Sequence, residues 1–307
     1  MKKYYPEGFL VGTQSNKFAM QNSSALQEAC KRREILEATA DVCDSEHNLI
    51  LNLGCMQGII PRNEGAIGIQ SGKVRDIALI SRVGKPICFT ISEIITGDDG
   101  ANYALLSRKD AQQKCCENYI SNLIPGDIID AKITHLETFG AFCDIGCGCI
   151  ALLPIDSISV SRISHPKDRF RCGDSIRVVV KDIDDSGRIS LSFKELLGTW
   201  EENAVMFSPG ETVAGIVRSI EDYGVFVELA PNLAGLAEPK EDLKVGQKVS
   251  VYIKNLLPDK MKVKLIIIDT FTSENYQTKL QYFCNEDHID SWQYSPDCCK
   301  RKIYSEF

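Results

Sequence analysis

Apolar and polar residues alternate with period two in two stretches of the chain. Ala141, Cys143 and Ile145 alternate with Phe142 and Asp144, and Val225, Val227 and Leu229 alternate with Phe226 and Glu228. This pattern predicts strands with one buried and one solvent-facing side. Phe142 then shares an outer face with Asp144, and Phe226 with Glu228. The same parity turns Arg188 outward against Ile189 and Leu191, and Lys262 and Lys264 outward against Val263 and Leu265. Several such segments, separated by Gly, Pro, Asp or Asn, suit five-stranded, partly open barrels of about 70 to 80 residues. The expected fold class is mainly β, in tandem barrels. Between barrels the composition shifts to helix formers at Ser107 to Leu123 and at Lys194 to Phe207, and a further helix is predicted from Ser23 to Arg33 with a Ser cap. Short helices, rather than flexible linkers, join the modules.

The strands repeat. Pro125-Gly126-Asp127 is answered 84 positions later by Pro209-Gly210-Glu211, and Glu137, Gly140, Phe142 and Leu152 by Glu221, Gly224, Phe226 and Leu236. Further on the offset is 73, with Gly173, Val178 and Lys181 matching Gly246, Val251 and Lys254. The middle copy therefore carries 11 extra residues, around VSRISHPKDRFR. There Arg162, Lys167, Arg169 and Arg171 outnumber Asp168, with His165 beside them, so the insertion reads as a basic patch. A third, fainter copy lies upstream, where Leu51 to Pro61 resembles the stretch ending at Pro154, and Leu105 to Lys109 resembles Ser190 to Lys194. The expected organisation is an extension at 1–33, a degenerate module at 34–112, two full modules at 113–199 and 200–269, and a tail at 270–307.

Composition narrows the function classes. The 307 residues are 44% hydrophobic and 25% charged, as in ordinary globular chains. No apolar run resembles a signal-peptide core or approaches a membrane span, so a cytoplasmic protein without membrane contact is expected. Thirteen cysteines without an export signal point to reduced thiols packed as small hydrophobes. A net charge of −7 argues against wrapping duplex nucleic acid through overall charge and leaves local basic patches as the relevant feature.

Both clear copies place an aromatic on the outer face. Phe139 and Tyr223 lie three residues before Phe142 and Phe226, and the intervening Gly140 and Gly224 allow a turn or bulge that re-aims them into a two-ring platform. Bases stack on such platforms, each for about 1 to 3 kcal/mol, while Arg188, Lys262 and Lys264 suit backbone phosphates. Rings and cations on one sheet fit a single strand better than a duplex groove.

These residues carry a resemblance. The run DIIDAKITHLETFGAFCDIG, followed by ALLPIDSIS and GDSIRVVVKDIDDSGRISLSFKE, is similar to the S1 domain, the RNA-binding repeat of the ribosomal protein S1-like family. The resemblance covers about 124–199 and 208–268, and more weakly 34–112. It implies OB-fold barrels, and it places the family's surface aromatics on Phe139 and Phe142 and its acidic and basic pair on Asp184 and Arg188. The third module retains Tyr223, Phe226 and Lys262. A histidine that many members carry is replaced by Pro154 and Glu238. In the first module His47, Ile50 and Tyr103 stand where the aromatics and the arginine belong, so it is expected to be a scaffold. The implied partner is single-stranded RNA, in particular messenger RNA, with the small ribosomal subunit as a further partner. The rival expectation is a docking scaffold whose RNA contact is incidental.

No nucleophile and base, carboxylate pair or metal set can be assembled, so the chain is read as a non-enzyme without cofactor or small-molecule substrate. Cys143, Cys147 and Cys149 lack paired spacing, and adjacent Cys298 and Cys299 ligate one ion poorly beside Cys284 and His288. Asp182, Asp184 and Asp185 read as a turn before Gly187. The aromatic tail is expected to fold against a module or a partner.

Overall fold

The computed structural model describes residues 4–97, 100–272 and 280–307. Three closed five-stranded barrels follow one another along the chain. The first comprises β1 (Leu36–Cys43), β2 (Leu49–Asn52), β3 (Gln57–Ile60), β4 (Pro86–Thr96) and β5 (Asn102–Ser107). The second comprises β6 (Ile128–Glu137), β7 (Gly140–Asp144), β8 (Ile150–Pro154), β9 (Ser175–Ile183) and β10 (Ile189–Ser192). The third comprises β11 (Thr212–Glu221), β12 (Gly224–Ala230), β13 (Leu233–Ala237), β14 (Lys248–Leu257) and β15 (Lys262–Phe271). All three share one strand order. Three strands form a meander, the third pairs in parallel with the fifth, and the fourth closes the cylinder. The barrels are thus OB-like, and closed where the spacing suggested a partial opening; closure removes the exposed edges of a small sheet. The faint upstream copy is a barrel of the same topology.

Period two is met by burial. Ala141 and Cys143 of β7 and Val225 and Val227 of β12 are fully buried, and Leu191 of β10 and Val263 and Leu265 of β15 are buried as well. Burying each valine or leucine among them contributes roughly 1.5–3 kcal/mol. Parity fails at one position of each copy: Asp144 and Glu228, expected in solvent, are 2% and 0% exposed. Each is covered by other parts of the chain and carries its own set of hydrogen-bond donors, as buried carboxylates must.

The helices are shorter than their composition suggested. The chain opens with α1 (Gln14–Ala19) and α2 (Ser23–Lys31), the latter capped by Asn22, whose side chain accepts from the Ala25 N–H, rather than by a serine. A single turn, α3 (Ile77–Ile80), lies between β3 and β4. Ser107 caps α4 (Arg108–Asn118). Lys194 to Phe207 is not one helix: a 3-10 turn at Lys194–Leu197 stops at Gly198, whose φ of +81° suits glycine, and α5 (Trp200–Ala204) restarts from a capping box of Thr199 and Glu202. No helix among the described residues is long and apolar enough to cross a membrane.

The chain divides into two compact units. The first holds Met1–Leu123 with Asp130–Lys132 and Asp144–Ile150; the second holds the remainder. In the first unit, buried Glu7 accepts from Arg108 at 2.7 Å and Arg82 at 2.9 Å, and its N–H donates to Asp144 at 2.7 Å. Burial and the neighbouring Glu7 charge push the Asp144 carboxyl up to about 7. In the second unit the tail lies along folded strands and adds the hairpin β16 (Ser291–Gln293) with β17 (Tyr304–Glu306). The Phe283 N–H donates to the Leu196 carbonyl, the Ile128 N–H to the Asp287 carbonyl, and the Ile289 N–H to the Gly126 carbonyl. Arg177 donates to the carbonyls of Cys284 and Glu286. Buried Tyr294 packs in the core of the third barrel. The expectation that the tail folds against a module is met.

Candidate nucleic-acid interface

A two-residue turn, Thr138-Phe139, joins β6 to β7. Its partner in the third barrel, Asp222-Tyr223, joins β11 to β12, with Glu221 paired to Gly224. The glycine after each turn is required by space. A Cβ at Gly140 would lie 2.5 Å from the Leu153 carbonyl oxygen, and one at Gly224 would lie 2.5 Å from that of Ala237. The strands approach closely, and the turn residue projects outward. Phe139 is 54% exposed and Tyr223 67%.

The second ring of each pair is half-buried on the adjoining strand. Phe139 meets Phe142 edge-on, with centroids 6.0 Å apart at 89°, and Tyr223 meets Phe226 at 6.2 Å and 88°. Two copies with different residues thus hold one geometry, within the range where aromatic pairs attract. Both barrels carry an edge-on ring pair on the outer face.

Strand register places the cations. In the third barrel Ser219, Phe226, Leu236 and Lys264 pair in one row across four strands. Lys264 and Lys262 are exposed on that face of β15. In the middle barrel Leu152 pairs with Ser190, the position equivalent to Lys264, and exposed Arg188 stands two residues earlier. The Arg188 side chain makes no hydrogen bond or ion pair among the described residues, so its donors are available. Asp184 supports the turn instead of pairing with that guanidinium: its carboxylate accepts from the Ser186 hydroxyl at 2.6 Å and from the N–H groups of Ser186 and Arg188, both at 2.9 Å. The Ser186 hydroxyl and the Arg188 N–H hold the Asp184 carboxyl below its ordinary value. Asp184 therefore positions Arg188.

The basic insertion divides. Arg162, Lys167 and Arg171 are exposed. His165 caps a 3-10 turn at Pro166–Asp168, its ring nitrogen accepting from the Lys167 N–H at 3.1 Å. Arg169 corrects the expectation of a wholly solvent-facing patch. Its side chain is 2% exposed and donates to Glu228 at 2.5 Å, while Arg218 donates to the same carboxylate at 2.8 Å and pairs with Asp168 at 3.3 Å. A guanidinium so enclosed cannot reach a phosphate. Its buried partner lies 59 residues away in sequence, beyond the reach of local charge counting.

One residue of the face was missed. His135, equivalent to Ser219, is exposed, stacks on Phe142 with centroids 6.3 Å apart at 30°, and bonds Glu137 at 2.6 Å. The signal was available, since His135 lies seven positions before Phe142 and on the outward face of β6. The middle barrel therefore presents three rings and an arginine, whereas the third presents two rings and two lysines. In the first barrel His47 pairs with Asp76 at 3.9 Å, and the turn between β1 and β2 carries no aromatic pair; the stacked Tyr5 and Phe9 lie in the segment before the barrel.

A family model described as "S1 RNA binding domain" matches residues 123–194. The curated small ribosomal subunit protein bS1 of Staphylococcus aureus is 31% identical over 271 residues, covering 82% of this chain and 66% of that protein. The bS1 protein of Staphylococcus epidermidis is 31% identical over 269 residues, covering 81% and 65%. The chain thus spans just under two thirds of the length of these relatives. A solved multidomain protein with nucleic acid binding domains from Streptococcus pneumoniae aligns over 76% of this chain and 73% of its own at 13% identity, with a TM-score of 0.26.

Proposed function

Because the chain belongs to the ribosomal protein S1-like family of S1-domain proteins, we propose that it binds single-stranded RNA without catalysing a reaction, and that it acts on messenger RNA in translation. The observation that carries this reading is the duplicated ring pair. Phe139 with Phe142, and Tyr223 with Phe226, meet edge-on at nearly the same distance on equivalent turns, and each pair shares its sheet with cations. Exposed rings stack bases of any identity, Arg188, Lys262 and Lys264 neutralise phosphates, and a duplex would hide the faces the rings need. Arg162, Lys167 and Arg171 extend the basic surface of the middle module. The relatives' names supply the link to the small ribosomal subunit.

The test is a fluorescence-anisotropy titration with single-stranded and duplex RNA. The native chain should prefer the single strand, and affinity should fall as salt rises, with a log–log slope of about −0.7 per phosphate contacted. The combined variant Phe139→Ala, Phe142→Ala, Arg188→Ala should lose at least about tenfold in affinity while keeping its circular dichroism spectrum. Equal affinities of folded native and variant chains would remove the site assignment. A flat salt response would favour a protein-docking scaffold.

A further inference from the structure

Five of the thirteen cysteines form one connected group within the first compact unit. Cys88 comes from β4, Cys115 and Cys116 from α4, and Cys147 and Cys149 from the turn between β7 and β8. Cys147 neighbours Cys115 and Cys88, and Cys149 neighbours Cys115 and Cys116. The Sγ atoms of Cys116 and Cys149 are 3.8 Å apart. The backbone brings these groups together: a Cβ at Gly146 would lie 2.8 Å from the Cys115 sulfur, and one at Gly148 would run into the Arg108 guanidinium. A tight turn, closed by the Cys149 N–H on the Gly146 carbonyl, sits against α4.

Thiols packed only as small hydrophobes would meet aliphatic carbon. Here they meet one another beside a buried guanidinium, and access differs along the group. Cys88, Cys115 and Cys147 are buried, whereas Cys116 and Cys149 are partly exposed. No set of residues arranged to hold a metal ion occurs among the described residues. What remains is thiol chemistry at the exposed end. We propose that Cys149 is a site of reversible oxidation by peroxides, with Cys116 as the resolving thiol that forms a disulfide between the β7–β8 turn and α4.

The Cys149 thiolate attacks one oxygen of the peroxide and breaks the O–O bond. This gives a sulfenic acid and, after protonation of the leaving hydroxide, water. The Cys116 sulfur then attacks the Cys149 sulfur, the S–O bond breaks, and a second water leaves. Two thiols and one hydrogen peroxide thus become one disulfide and two waters. Reactive cysteines are partly exposed and held as thiolates by nearby donors and positive charge. Cys149 meets each condition: it is partly exposed, its sulfur lies 3.8 Å from that of Cys116, and the neighbouring Cys115 and Cys116 thiols, with the Arg108 charge, draw its thiol below the ordinary range. Closing the 3.8 Å gap to a bond of about 2.05 Å calls for a modest displacement of the two sulfurs.

The full chain, treated with hydrogen peroxide at pH 7 and mapped by peptide mass spectrometry, should lose two hydrogen atoms at a Cys116–Cys149 bond that dithiothreitol restores. In Cys116→Ser, Cys149 should be trapped by dimedone as a sulfenic acid. A second measurement needs no variant. Iodoacetamide should alkylate Cys149 of the native chain about tenfold faster than exposed Cys172. Oxidation confined to Cys172 and Cys298, a bond from Cys149 to Cys115 or Cys147, or alkylation of Cys149 no faster than of Cys172 would each overturn the proposal.

Discussion

The middle and third barrels are two copies of one design, and they differ at a position where both keep an acid. Asp144 and Glu228 stand 84 residues apart at the same place on equivalent strands, and both are buried. Asp144 accepts backbone N–H groups of Glu7, Gly146 and Gly148, whereas Glu228 takes the guanidiniums of Arg169 and Arg218. The ring pairs, by contrast, keep one geometry although Tyr223 replaces Phe139. Duplication has thus left the geometry of the ring pair fixed while each buried acid found different partners. An acid beside a ring on a strand therefore says little about solvent until its cover is known.

The sharpest way to break this comparison is to remove the acids. Glu228→Ala should lower the unfolding free energy by about 3–5 kcal/mol in urea denaturation, because enclosed Arg169 loses its closest counter-charge and Arg218 keeps only Asp168. Asp144→Asn should cost less, about 1–3 kcal/mol, for one buried N–H left facing a new donor. Equal costs would mean that the two acids do the same job. The rings come next. In RNA titrations the double variant Phe139→Ala, Phe142→Ala should weaken binding by about 10- to 100-fold, and Tyr223→Ala, Phe226→Ala by less than about tenfold, since the third barrel lacks the His135 ring. A larger loss from the third barrel would reverse the ranking.

The smallest effect concerns the tail. The hydrogen bond to Asp127, reinforced by Asp290, raises the His288 pKa above its ordinary value. A histidine raised on folding stabilises fully below its unfolded pKa of about 6.5, and this contribution is lost as pH rises through the folded value. Hydrogen exchange at the Ile128 and Ile289 amides should therefore quicken above pH 6.5 by more than the intrinsic base-catalysed increase. In His288→Ala the excess should vanish. An excess that persists in the variant would assign it to another group.

Much of the barrel was legible because period two fixes a strand's faces within a few residues, and because the offset of 84 checks each assignment against a second copy. Ala141, Cys143, Val225 and Val227 needed nothing else. Arg169 was not legible: a basic residue in an insertion carries the same local signature whether it meets water or a carboxylate 59 positions away. Asp184 was placed in a turn correctly, but its direction of action, toward the Arg188 backbone, depends on which donors surround it. The tail's strands are three residues long, too short for any period to register. The thiols were counted, but a spacing rule written for metal sites does not detect sulfurs gathered from a strand, a helix and a turn.

The glycines beside the ring-bearing turns bear on time as well as space. With Gly140 pressed against the Leu153 carbonyl, the proposed stacking of a base on Phe139 calls for no loop to become ordered first, and encounter and capture are expected to be a single event. Association followed by stopped flow should then rise linearly with RNA concentration and show no plateau. Differences between RNA sequences would appear in how long each one stays.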